Sequence, residues 1–78
     1  MEKEKILSEI QTVFRDVLNN EYIVLEATTT ASDVEGWDSL TYIQLIVAIE
    51  KHFKIKFTSK EIFFWKNIGE MIDNIQNK

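Results

Sequence analysis

Seventy-eight residues, 45% of them hydrophobic, are enough for one small domain (1–78) with little core to spare, and the absence of cysteine excludes disulfides, a thiolate nucleophile and a cysteine metal site. A net charge of −4 argues against nucleic acid as the main partner, although the charge is uneven: residues 1–50 hold ten acids and three bases, residues 51–78 three acids and six bases. The opening "MEKEKILSEI" is unlike a secretory signal, and the longest aliphatic run, Leu45 to Ile49, is far too short to cross a bilayer, so a soluble cytoplasmic protein is expected.

With no proline and only two glycines, Gly36 and Gly69, helices are favoured over a turn-rich sheet. Ile6, Leu7, Ile10, Val13, Phe14, Val17 and Leu18 recur at steps of three and four, one face of a first helix that stops at Asn19-Asn20. Residues 20–37 read as a long irregular segment. Within it "TTTASD" is polar and cap-like, and Ile23, Val24 and Leu25 are expected to fold back on the core. A loop of this length in so small a domain is functional or packed down by its own side chains.

Asp38 is the expected N-cap of a second helix, accepting a free N–H of its first turn. Trp37 and Tyr42 then occupy the two positions of a hydrophobic staple. From 40 to 53 nearly every position is apolar except Thr41, Gln44, Glu50, Lys51 and His52. Around a helical wheel Thr41, Gln44, Ala48, Lys51 and His52 share one arc, expected in solvent. Tyr42, Leu45, Ile46, Ile49 and Phe53 lie opposite, expected in the core, with Leu40, Ile43 and Val47 on the border. A helix this apolar is the central one of a bundle. In "FKIKF" apolar residues alternate with lysines, but no partner strand is available, so an extended loop is expected. Thr58 to Glu61 has the capping-box pattern and opens a short third helix through about Trp65. Asn67, with Glu70 three residues on, opens a last helix with Ile68, Met71, Ile72 and Ile75 on one face. The expected fold is all-α: a four-helix bundle with a long first loop and a short third helix.

Ser39, His52 and a neighbouring acid do not make a triad. Thirteen residues along one helix separate the two by about 20 Å, and neither a G-x-S-x-G elbow nor a second histidine exists. His52 reads as a surface residue near a helix C-terminus. One histidine without cysteine makes no metal site, and no glycine-rich phosphate loop is present. The chain is therefore expected not to be an enzyme. A serine at the first helical position is ordinarily structural, yet Ser39 ends a long loop and should be exposed. It also stands at a helix N-terminus, where free N–H groups and the macrodipole favour phosphate. A phosphodiester on Ser39 would be well placed, with Leu40, Ile43 and Val47 as an apolar strip beside it.

"GWDSL" followed by "TYIQLIVAIEKHF" resembles the phosphopantetheine attachment region of acyl carrier proteins, whose signature Asp-Ser-Leu opens the second helix; here it reads Asp38-Ser39-Leu40. The resemblance covers nearly the whole chain, down to the ending "NIGEMIDNI". It implies that a phosphopantetheinyl transferase moves 4′-phosphopantetheine from coenzyme A onto the Ser39 hydroxyl, and that the thiol of that arm carries acyl groups as thioesters. The reactive sulfur would belong to the cofactor, which accounts for a chain without cysteine. It further implies a monomer that docks on acyl ligases, transferases or synthases through Leu40, Ile43, Val47 and Glu50, with no nucleic acid or membrane as partner. Three features depart from the fatty-acid-synthesis members. Thr41 and Gln44 stand where acids are common, Lys51 and His52 follow Glu50, and Trp37 replaces a small residue. These departures point to a specialised pathway. A peptidyl carrier and a plain helical interaction module stay open as alternatives.

Overall fold

Helix α1 spans Lys3–Val17 and buries the face the periodicity marks, with Ile6, Ile10, Val13 and Phe14 in the core. The structure, a computed structural model, describes residues 2–78 apart from the side chain of Phe64. After the C-cap Leu18, Asn19 turns the chain with a φ of 51°, a left-handed conformation that asparagine tolerates better than most residues, so the stop falls where it is expected.

The long segment that follows is irregular but tethered. Arg15 Nε donates to the Ile23 carbonyl at 2.8 Å, and Gln11 Oε1 accepts from the Leu25 N–H at 2.9 Å. Ile23 and Leu25 are buried, but Val24, expected to join them, is 70% exposed. Successive side chains of an extended segment point to opposite sides, so anchoring its neighbours turns Val24 outward. The "TTTASD" stretch forms a 3-10 turn, Ala31–Asp33, closed by a Thr30–Asp33 capping box, and Val34 returns to the core.

Helix α2 spans Ser39–Phe53, α3 Ser59–Phe64 and α4 Ile68–Gln76, with residues 55–57 extended between α2 and α3 as expected. Side-chain caps start all three: Asp38 for α2, Thr58 with Glu61 for α3, and Asn67 for α4. The described residues thus form an all-α four-helix bundle without a strand. α1 packs on α2 and α4, and Ile68, Met71, Ile72 and Ile75 close the core from α4. The start of α4 also holds the long loop: Ile68 N–H donates to the Thr29 carbonyl and Gly69 N–H to the Ala27 carbonyl, at 2.9 and 2.8 Å. A Cβ at Gly69 would lie 3.0 Å from that Ala27 oxygen, so the approach is one that glycine permits.

The orientation of α2 differs from the helical-wheel expectation. Leu45, Ile46 and Ile49 are buried as foreseen. Ala48, expected in solvent, packs against the core, and Thr41 is half-buried. Leu40, Ile43 and Val47, expected on the border, are 76%, 65% and 43% exposed. The few polar residues pulled the expected solvent arc toward themselves, whereas the real outward line lies opposite Leu45 and Ile49, which face the core shared with α1.

Candidate functional site

The approach to Ser39 is held by a short chain of local bonds. Gly36 has a φ of +91°, outside the reach of most side-chain-bearing residues, and turns the loop toward α2. Asp38 is the N-cap, its Oδ1 accepting from the N–H groups of Leu40 and Thr41 at 2.9 and 3.0 Å. Those two backbone bonds, Thr41 first, hold the Asp38 carboxyl below the ordinary aspartate range. Thr41 returns the bond: its Oγ1 accepts from the Asp38 N–H at 2.8 Å and donates to the Gly36 carbonyl at 2.6 Å. The hydroxyl therefore fastens the loop to the first turn, a role the sequence signals only as a polar residue three positions after a cap. Thr41, which the sequence marks only as standing where acids are common, is thus occupied inside the site.

Trp37 and Tyr42 meet as the staple pattern predicts, with ring centroids 6.0 Å apart. Trp37 also stands edge-on to Phe14 of α1 at 5.0 Å, so the staple is rooted in the core. From the other side of the staple, Tyr42 donates its hydroxyl to the Ile62 carbonyl of α3 at 3.0 Å, and burial raises its pKa. One aromatic pair thus joins α1, α2 and α3 beneath Ser39.

Ser39 itself is exposed, and its hydroxyl makes no hydrogen bond among the described residues. The expected phosphate cradle is largely taken. Asp38 already accepts the N–H groups of Leu40 and Thr41, and the Tyr42 N–H bonds the Asp38 carbonyl at 2.8 Å. What the site offers is an accessible hydroxyl on a rigid turn beside a carboxylate, rather than an anion hole. A cleft of about 360 Å³ opens next to it, and Ser39, Trp37, Tyr42, Ile62, Phe63 and Trp65 are among its lining residues. A phosphopantetheine arm fits this arrangement: free solvent access at its point of attachment and an apolar wall for the atoms beyond.

The other candidate residues fall in two places. Leu40, Ile43 and Val47 form one exposed apolar strip running away from Ser39. Glu50 is half-buried, with Oε2 accepting from the Phe57 N–H at 2.8 Å, so part of its carboxylate braces the segment after α2. His52 is exposed at the far end of α2, its Nε2 2.9 Å from Glu9 Oε1, and it has no part near Ser39. Among the described residues no group of acids and histidine could hold a metal ion, and no helix is long and apolar enough to cross a membrane.

Known proteins resemble this chain in sequence and in fold. Residues 8–75 match the family model for the phosphopantetheine attachment site. The chain is 31% identical to an acyl carrier protein of Thermosynechococcus vestitus, over 100% of this chain and 96% of that protein. It is 28% identical to one from Coprothermobacter proteolyticus, over 99% and 94%. A solution structure of the holo acyl carrier protein of Geobacter metallireducens superposes with a TM-score of 0.87 at 40% identity, covering 94% of this chain and 84% of that one.

Proposed function

The chain belongs to the acyl carrier protein family, and we propose that Ser39 is the residue that receives its phosphopantetheine arm. It is a carrier and not a catalyst. When attached, the arm supplies the thiol on which acyl groups ride as thioesters. The chain's own residues do the positioning: Asp38, Thr41 and Gly36 lock the turn, and Trp37 and Tyr42 fix that turn on the bundle. In the attachment step a bond forms between Ser39 Oγ and the coenzyme A phosphorus that bears the pantetheine. The phosphoanhydride bond to the adenosine half breaks, and the serine proton passes to a base of the transferase. Tethering then raises the effective concentration of cargo at any docked enzyme. The observation that carries the assignment is the exposed, unbonded hydroxyl of Ser39 directly after a cap that leaves it no structural task.

Members of this family work with phosphopantetheinyl transferases and with acyl-transferring or synthase enzymes. The outward face of α2 supports a dedicated set of such partners in a specialised pathway, because Gln44, Lys51 and His52, exposed there, stand where the fatty-acid members are rich in acids. Trp37 needs no partner to explain it, since Phe14 and Tyr42 account for its ring.

The test is direct. Incubation with coenzyme A, magnesium and a promiscuous phosphopantetheinyl transferase should add one phosphopantetheine by mass, and Ser39→Ala should add none while keeping its helical circular dichroism. Ser59 is the informative control, as it too is exposed at the first position of a capped helix. An adduct that survives Ser39→Ala and disappears in Ser59→Ala would move the attachment site to α3.

A further inference from the structure

Beyond Val47 the carrier reading assigns a docking role to Glu50 alone. From Leu40 the outward face continues through Ile43 and Val47 to Lys51 and Lys54, steps of three and four residues over about 20 Å. Past Val47 the surface dips into a groove of about 440 Å³ lined by Val47, Glu50, Lys51, Lys54, Ile55 and Lys56. Val47 and Ile55 contribute apolar surface there, and three of the six lining residues are exposed lysines. The one acid, Glu50, is already engaged by the Phe57 N–H. Among the described residues none of the three lysines has an ion-pair partner, unlike Lys3 with Asp73 or Lys78 with Glu61.

A purely local explanation covers only part of this. Lys51 lies in the last turn, where a cation complements the carbonyl end of the helix dipole. Lys56 lies beyond the helix. Lys54 is the C-cap at a φ of 58°, a backbone that glycine would adopt more easily. The groove therefore gathers positive charge that the helix end does not require.

We propose that this groove docks an acidic segment of a partner protein, carboxylate side chains flanking an apolar one, as the far end of a footprint that begins at the Leu40–Ile43–Val47 strip. That this partner is an enzyme acting on the arm rests on the carrier reading; the chemistry of the groove does not. Charge complementarity selects the occupant. The chain as a whole carries −4, with ten acids in residues 1–50, which repels an extended polyanion or an anionic bilayer while leaving this local patch attractive to a compact acidic surface. The apolar strip continuous with the groove fits a protein surface, whose contacts combine an apolar centre with a charged rim.

The probes are two synthetic helical peptides with the same leucine face, one flanked by glutamates and one by lysines, titrated into the labelled full chain and followed by amide chemical shifts. The glutamate peptide should bind about tenfold more tightly at about 0.03 M salt, with the largest shifts at Val47, Lys51, Lys54 and Ile55, and lose most of that advantage at about 0.3 M. Lys51→Glu with Lys54→Glu should invert the preference, with circular dichroism confirming the fold. Equal binding of the two peptides, no binding of either, or a preference that the double variant leaves intact would overturn the proposal. So would co-sedimentation of the wild-type chain with phosphatidylglycerol vesicles that the double variant abolishes, since the groove would then serve a lipid surface. The mass assay at Ser39 runs separately on both proteins, so loss of the carrier reading and loss of the groove assignment give different results.

Discussion

Replacing Thr41 by valine keeps the β-branched shape and nearly the helix propensity, and removes one oxygen. That oxygen accepts from the Asp38 N–H at 2.8 Å and donates to the Gly36 carbonyl at 2.6 Å. The two Asp38 bonds to the Leu40 and Thr41 N–H groups need no Thr41 hydroxyl and should survive. Each lost bond is worth about 0.5–1.5 kcal/mol net, and both groups lie near water that can partly replace the hydroxyl, so the lower end applies and the sum is about 1 kcal/mol. For a domain of this size that is a fall in Tm of about 4–8 °C. Because the hydroxyl ties the loop to the turn that presents Ser39, modification should slow by more than the unfolded fraction explains. The assays are thermal melting by circular dichroism and the initial rate of phosphopantetheine addition. Acidity gives an internal check. Asp38 is held below its ordinary pKa, so its capping contribution is present above the unfolded value and fades as pH falls through the folded one, whereas the Thr41→Val penalty rests mainly on two backbone bonds, with only a minor part from the hydroxyl's 3.3 Å approach to the Asp38 carboxyl. The Asp38→Asn deficit should therefore shrink in acid while the Thr41→Val deficit persists. A Thr41→Val protein that melts with wild type and is modified at the wild-type rate would mean that Trp37 packing alone holds the turn.

Two further substitutions probe the frame around the site. Trp37→Ala removes a half-buried ring wedged on Phe14 and should cost about 2–3 kcal/mol by denaturant unfolding, with Trp37→Phe recovering part of it; an unchanged midpoint would remove Trp37 from the core. Glu61 is held at a pKa of about 2, chiefly by Lys78 and then by the Thr58 N–H. Its contribution to stability is present above the ordinary glutamate value of about 4.3 and is lost as pH falls toward about 2. Lys78→Ala should move that loss to higher pH, and a carbon-13 titration of the Glu61 carboxyl reads it directly; an unmoved titration would assign the shift to the α3 cap instead.

The helices and their starts were legible in the amino-acid order because the forces that set them are local. Asp38, Thr58 and Asn67 satisfy N–H groups two or three residues away, and the steps of α1 and α4 define one buried face each. The exposure of Ser39 was legible for the same reason, since it ends a long loop at the first position of a capped helix. The phosphate cradle expected there was not, because a pattern of residue types does not say that Asp38 takes the N–H groups first. Nor does composition orient α2. When nearly every position is apolar, periodicity names no face, and packing against α1 and the common core decides that Leu45 and Ile49 go in while Leu40, Ile43 and Val47 go out. Packing likewise separates Val24 from Ile23 and Leu25, through anchors that reach across from Arg15 and Gln11. The bonds that brace the site from outside its own segment, Tyr42 to Ile62 and Gly69 to Ala27, join residues far apart in the chain. Such partners are chosen by which surfaces the folded core brings together, and only the tertiary structure brings them together.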